Sequence, residues 1–298
     1  MHGSSISCPV TKHPRLGGSL IPVGNWLLLA AVLVAASAPC RVVQAQAVHA
    51  PTVRSAAMGG AIGLGSPGEA FINPAVAGRA SGGEASIRMD EPRQTGAFLS
   101  VAGNGFVLGI QTFLGFGSPA HLDQISADLR ASGALSREVF GFDVGVQVSL
   151  VERAQDSHHA RAASFSAGVM RDLGRLRLGA SVTDLGSDVS AGNASIVNDP
   201  TYRAQLALET VQVGPLDLAA AAHVGHGQAG WTGGGGLELA YWPVSGRTFR
   251  LLGGVRDRPA SSNAVLSVGG SISLDGLTIE YASSDPSNPT HRIGLIWR

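Results

Sequence analysis

Few residue groups in this chain have the types and spacing for chemistry. Asp156-Ser157-His158-His159 gathers a carboxylate and two imidazoles, groups that could ligate a metal. A run of this kind between two strands reads more simply as a solvated turn. His223 and His226 are three apart. Side chains on a strand alternate between faces, so this spacing sends the two to opposite sides and they cannot share a metal. Gly233-Gly234-Gly235-Gly236 lacks the lysine and the helix start that a phosphate cradle needs. No G-x-S-x-G, P-loop or H-E-x-x-H occurs. The expectation is a non-enzyme with no cofactor and no metal. A site assembled from several strands is the lesser reading.

The charged residues that remain are set into apolar strands. Arg177, Arg203, Glu209, Asp217, Glu238, Arg250 and Arg256 fall opposite apolar neighbours. They are candidates to line a polar interior, either as a ladder of ion pairs or as groups that tune what passes.

Composition narrows the class. Lys+Arg and Asp+Glu are both 21, so the formal charge is zero, and a nucleic-acid binder should carry a basic excess. Charged residues are 14% and mean hydropathy is +0.19, which excludes a chain kept disordered by charge. With 41 glycines, one lysine (Lys12) and 4 methionines, a helical bundle is a poor fit. A Gly-rich, weakly charged, mildly apolar chain suits an exported all-β protein or a membrane β-barrel.

The first stretch reads as an address. Lys12 and Arg15 precede an apolar run from Trp26 to Ala38, and Ala45-Gln46-Ala47 follows. A basic start, an apolar core and an A-x-A site make a cleaved signal peptide over 1–47. The run is short of the ~20 residues that span a bilayer, which weakens the membrane-anchor alternative. Cys40 raises a lipoprotein, but Pro39 before it does not suit lipidation. Both cysteines, Cys8 and Cys40, precede the cleavage site, so the processed chain has no disulfide to rely on.

Behind that address the sequence alternates with period two. From Val139 to Leu150, Phe140, Phe142, Val144, Val146, Val148 and Leu150 face one way and Gly141, Asp143, Gly145, Gln147 and Ser149 the other. Such a strand is roughly 36 Å long, and tilted by about 40° it covers roughly 28 Å, near the ~25 Å apolar band of an outer-membrane barrel. Similar runs start at Ala163, Leu176, Tyr202, Leu216, Leu237, Phe249, Leu266, Leu277 and Ile293, with weaker ones at Ala85–Met89, Thr95–Val101 and Phe106–Phe113. The expected fold is all-β, an antiparallel transmembrane β-barrel of about 14 strands, with 12 as the alternative because bacterial barrels are even-stranded. A soluble sandwich shows the same alternation and stays open. Gly115–Ser136 reads as a long outer loop with a short helical turn at Leu122, Ile125 and Leu129, and Gly186–Pro200 as another loop. Turns are expected at Asp172-Leu173-Gly174 and Asp275-Gly276. Tyr241, Trp242 and Trp297 stand at strand ends, as interfacial girdle residues should.

Ser55-Ala56-Ala57-Met58-Gly59-Gly60-Ala61, then Glu69-Ala70 and Asn73-Pro74-Ala75, resembles the N-terminal signature of PorV/PorQ-type outer-membrane proteins, within the FadL-like barrels. Asp184-Leu185-Gly186, Pro200-Thr201-Tyr202-Arg203, Glu280-Tyr281-Ala282 and Thr290-His291-Arg292 resemble later motifs of that group in the same order. Val76-Ala77-Gly78 departs from the usual Gly-Leu-Ala, and the chain ends Trp297-Arg298 where Phe is common. The resemblance implies a 14-stranded barrel with its N-terminal segment in the lumen. Residues 48–82 are then a plug-like segment, marked by Met58, Gly59, Gly60, Asn73, Pro74 and Ala75, and 83–298 the barrel. A leader between signal peptide and barrel is the alternative.

The resemblance implies a component of protein export, of the type IX kind, or of outer-membrane assembly, partnered by a secretion machine or exported proteins. A FadL-like channel for a hydrophobic small molecule is the alternative, and a secreted soluble β-adhesin a further one. In the barrel readings outer-membrane lipid is a partner. Nucleic acid is a partner in none of the three.

Overall fold

The computed structural model describes residues 52–62, 65–90, 94–116, 125–155, 157–192, 194–228, 230–244, 246–257, 264–286 and 289–298. The signal-peptide stretch 1–47, Asp156 and Leu122 lie outside them.

Among the described residues there are sixteen strands: β1 (Gly82–Asp90), β2 (Gln94–Gly103), β3 (Phe106–Phe116), β4 (Ile125–Val139), β5 (Phe142–Gln155), β6 (His158–Leu173), β7 (Leu176–Leu185), β8 (Val189–Ala191), β9 (Ala194–Ile196), β10 (Thr201–Val213), β11 (Leu216–Gly227), β12 (Gly230–Val244), β13 (Arg247–Asp257), β14 (Ala264–Leu274), β15 (Leu277–Ser284) and β16 (Thr290–Trp297). Fourteen close into one antiparallel barrel, and β8 and β9 form a separate hairpin. Each barrel strand pairs with its neighbour along the chain, and β1 pairs with β16 to complete the ring. Closure leaves no strand edge with unpaired amides, the condition for crossing a bilayer with strands.

Alternation decides which face meets what. Leu237 and Leu251 are 67% and 64% exposed, while Glu238 and Leu252 beside them are buried. In β5, Val146 and Val148 are exposed and Gln147 and Ser149 buried. The outward face is thus a belt of leucine, valine and isoleucine, and the inward face is mostly small, polar or charged, with larger apolar residues such as Val107, Met170 and Leu252 where the N-terminal segment packs. A soluble sandwich would bury those leucines, so the soluble reading is set aside.

The two ends of the barrel differ. One carries tight turns between β2 and β3, β4 and β5, β6 and β7, β10 and β11, β12 and β13, and β14 and β15. Asn104-Gly105, Phe140-Gly141 and Asp275-Gly276 occupy three of them, and Asn104, Gly105, Phe140, Gly141 and Asp275 have positive φ. Two-residue hairpins need this handedness to match strand twist. The other end carries the longer connections, among them the one holding β8 and β9.

Four expectations are corrected. Phe140 and Gly141 belong to a turn, with Phe140 97% exposed, because β4 runs on to Val139 and pairs it with Phe142. The supposed loop Gly115–Ser136 is largely strand, with β4 beginning at Ile125. Small outward residues, Ala127, Ala131 and Gly133, hide its period. Likewise β6 continues through Leu173, so that turn sits at Gly174-Arg175. The Gly186–Pro200 loop contains β8 and β9, which pack Ala194 and Ile196 against Ala160 of β6.

Candidate functional site

Residues 52–62 and 65–80 pack against the inner wall of the barrel. They form helix α1 (Val53–Ala57) and two 3-10 turns, Pro67–Phe71 and Pro74–Gly78. Two of the buried clusters are contacts between this segment and the inner wall. Val53, Ala57, Met58 and Ala61 pack on Ala207, Ala221, Leu252 and Ala282. Ala70, Ala75, Val76, Ala77 and Ala80 pack on Val107, Ala134 and Met170.

Thr52 caps α1 by accepting from the Ser55 amide at 2.9 Å. The helix ends when the Gly60 amide bonds the Ser55 carbonyl at 2.7 Å, with Gly59 at φ +66°. That is a glycine-dependent stop. Met58 and Gly59 then lie directly on the wall. A Cβ on Gly236 would come within 2.6 Å of Met58 Cα, and one on Gly254 within 2.3 Å of the Gly59 nitrogen. The Gly233–Gly236 run is therefore a seat for the segment: its inward members, Gly234 and Gly236, let backbone touch backbone. Ser267 completes the seat by donating to the Ala57 carbonyl at 2.9 Å.

Asn73-Pro74-Ala75 has a seat of its own. A Cβ on Gly145 would sit 2.2 Å from the Pro74 carbonyl carbon, and one on Gly168 2.0 Å from Asn73 Oδ1. That oxygen accepts from the Ala75 amide at 3.1 Å, opening the second 3-10 turn. The Asn73 amide group donates to the Val169 and Ala180 carbonyls at 3.4 and 3.5 Å, and Ser136 donates to the Ala75 carbonyl at 3.1 Å.

Charge fixes the segment at two places. Arg54 meets Glu238 at 2.5 Å, and Arg250 reaches the other oxygen of the same carboxylate at 3.3 Å. Burial works against the Arg54 charge, but Glu238, followed by Glu69 and Glu280, outweighs it and raises its pKa above the usual arginine value. Near the tight-turn end Arg79 joins Asp143, at 2.6 Å, and Asp172. Arg177 continues the row, at 2.9 Å from Asp172 and 2.5 Å from Glu209.

The candidate lumen residues thus fall into separate groups. Arg177 and Glu209 pair, and so do Glu238 and Arg250. Asp217 accepts from the Trp242 indole at 3.0 Å. Trp242 therefore serves this contact, on the same alternating face as Glu238, where the sequence made it a girdle residue. Tyr241 and Trp297 keep the outward face. Arg203 reaches the Gly60 carbonyl at 3.4 Å, and Arg256 stands beside Gly234. His158 and His159 are consecutive in β6 and so face opposite ways, and the described residues contain no cluster fit for a metal.

Several partners escaped the sequence. Arg54, Arg79 and Asp172 lie in or beside the segment and its turns. Glu84 is fully buried and accepts from the Gly68 amide at 3.1 Å. The available signal was glycine at inward positions of otherwise strictly alternating strands, as at Gly145 and Gly168.

On the lipid side of the Met58 seat lies a groove of about 430 Å³. Leu206, Leu208, Leu237 and Val255 rim it, and small residues such as Ala220 and Gly253 floor it. Here a single backbone layer separates the lumen segment from the bilayer. Strand pairing runs unbroken across it, so it is a thin place in a closed wall.

This architecture has solved counterparts. A FadL homologue from Pseudomonas aeruginosa aligns at TM-score 0.51 with 12% identity, over 84% of this chain and 97% of that one. The CymD monoaromatic hydrocarbon channel aligns at 0.50 with 14% identity, over 82% and 95%. A deltaS2S3 mutant of TodX, also described as a monoaromatic hydrocarbon channel, aligns at 0.50 with 14% identity, over 82% and 97%. The fold is FadL-like. No family model and no curated protein matches the sequence. The structural likeness concerns the FadL-like barrel as a whole and carries nothing for its PorV/PorQ branch.

Proposed function

We propose that this FadL-like barrel is a non-enzymatic outer-membrane channel for a hydrophobic small molecule, with residues 52–80 as its gate. The observation that carries the proposal is a FadL-like wall closed around its own N-terminal segment. The counterparts at comparable TM-score are described as hydrocarbon channels. The outward leucine belt supports residence in a bilayer, and the signal-peptide reading of 1–47 supports export to it. A molecule that crosses must pass the segment. Small residues and a few ion pairs hold that segment, a construction suited to displacement.

The test is uptake. Cells making the protein should accumulate a radiolabelled monoaromatic hydrocarbon faster than cells without it. Equal rates would reject the channel reading.

One observation favours a second reading, a component of protein export. Asn73-Pro74-Ala75, part of the PorV/PorQ-like signature, is buried in a fitted seat on the inner wall. Crosslinking in intact cells separates the two readings. A stable adduct with a larger membrane assembly, in cells that show no uptake, would support export.

A further inference from the structure

Phe140 holds a position that suits a different residue. It opens the two-residue turn between β4 and β5 with φ +52°, and Gly141 follows at +76°. Such a left-handed pair favours Asn-Gly, and a phenylalanine there strains the backbone. The ring adds nothing to the interior, since Phe140 is 97% exposed. Strain kept where folding does not need it points to a use outside the fold.

The outward face beside this turn is basic and aromatic. Arg137 of β4 pairs with Val144 of β5, and Val144 with Val169 of β6. Val139 and Val144 are exposed members of the apolar belt, so by alternation Arg137, Phe142 and Arg171 share its outward face. Arg171 holds its guanidinium carbon 4.7 Å from the centre of the Phe142 ring, a cation–π contact. Neither Arg137 nor Arg171 meets a carboxylate among the described residues. The acids at this end of β5 and β6, Asp143 and Asp172, turn inward to Arg79.

Elsewhere the belt stays apolar up to its tight turns, as at Phe106, Leu173, Val213 and Leu274. The edge of the bilayer therefore lies at the level of the turns. An arginine at that depth lays its stem along the belt and carries its charge to the headgroups. Short turns of an outer-membrane barrel face the periplasm, where the leaflet is phospholipid.

We propose that Arg137 and Arg171, with Phe140 and Phe142, form a docking surface for an anionic phospholipid of the inner leaflet. The two guanidiniums meet the phosphate, Phe140 lies at the headgroup level as interfacial aromatics do, and the acyl chains continue along Leu135 and Val144. Charge decides the occupant, because two cations without carboxylates, set on the lipid-facing belt, match an anionic head. The proposal goes beyond the channel reading. It requires a barrel in a bilayer and holds equally for a channel or an export component.

The test is calorimetric titration of the full processed protein in a nonionic detergent. The probes are dihexanoylphosphatidylglycerol, dihexanoylphosphatidylcholine (the same chains on a head without net charge) and inorganic phosphate. The anionic lipid should bind saturably and roughly 10- to 30-fold more tightly than the zwitterionic one, at about fivefold for each arginine. Arg137→Gln with Arg171→Gln should abolish that preference. Arg161→Gln removes an outward arginine near the other end of β6, one paired with Glu152, and should leave the preference intact. Phe140→Asn suits the turn, so the barrel should resist heat at least as well in its gel mobility while both lipids bind severalfold more weakly. Equal binding of the two lipids, the result expected of a surface made for a periplasmic protein, overturns the proposal. So does inorganic phosphate binding as tightly as the anionic lipid, an undiminished preference in the double variant, or parent-like lipid binding in Phe140→Asn. If the double variant does not fold, each arginine variant is read singly, and an unchanged preference in both overturns it. No outcome of this titration depends on uptake, so failure of this surface and failure of the channel reading are distinguishable.

Discussion

The guanidinium of Arg54 and the carboxylate of Glu238 meet at 2.5 Å across 184 residues of chain. One belongs to the lumen segment and the other to the wall, so the pair ties the proposed gate to the barrel. Arg250 shares the same carboxylate, which makes the buried Glu238 the common anion of two partly buried cations.

Glu238→Gln should loosen the segment. Breaking a buried pair leaves uncompensated charge and costs about 3–5 kcal/mol. The strand hydrogen bonds do not depend on it. The barrel should therefore stay folded while residues 52–80 become sensitive to added protease. Protease resistance equal to the parent would mean that this pair does not hold the segment.

Gly145→Val tests the Asn73-Pro74 seat. The new Cβ would sit 2.2 Å from the Pro74 carbonyl carbon, a distance real atoms do not tolerate. The segment should leave its seat and become cleavable. Gly253→Ala is the matched control, since nothing lies within 4 Å of its Cβ. Cleavage in both variants, or in neither, would count against the seat.

Facing is tested at Val146, which is 55% exposed on the belt. Val146→Arg should cost roughly 2–4 kcal/mol in urea unfolding from lipid, whereas Val146→Leu should change little. Gln147 offers no permissive counterpart, because it is buried and donates to Ser149 at 2.8 Å. A cheap Val146→Arg would place that residue away from lipid.

Export should follow the N-terminal reading. Sequencing the mature protein from the outer-membrane fraction should find processing after Ala47. An unprocessed chain in the soluble fraction would contradict both the signal peptide and the membrane reading.

Much of the wall was legible because its physics is local. Alternation at Phe142–Leu150 or Leu266–Leu274 is written residue by residue, since lipid demands apolar atoms on one face. Legibility failed where the outward residues are small, as at Ala131 and Gly133 of β4, and where a bulky residue takes a glycine-like turn position, as Phe140 does. The site was harder to read. Met58-Gly59-Gly60 and Asn73-Pro74-Ala75 could be marked as a unit, but their seats could not. Gly145, Gly168 and Gly254 look like ordinary strand glycines until the segment is laid against them. Partnerships such as Arg54 with Glu238 join distant parts of the chain, and nothing local in the sequence specifies them.

The central claim, that residues 52–80 close the channel, is tested most directly by single-channel recording in planar bilayers with and without that segment. The account predicts low conductance for the intact protein and a stable, severalfold larger conductance for a folded barrel lacking the segment. Equal conductance from the two folded proteins would contradict it.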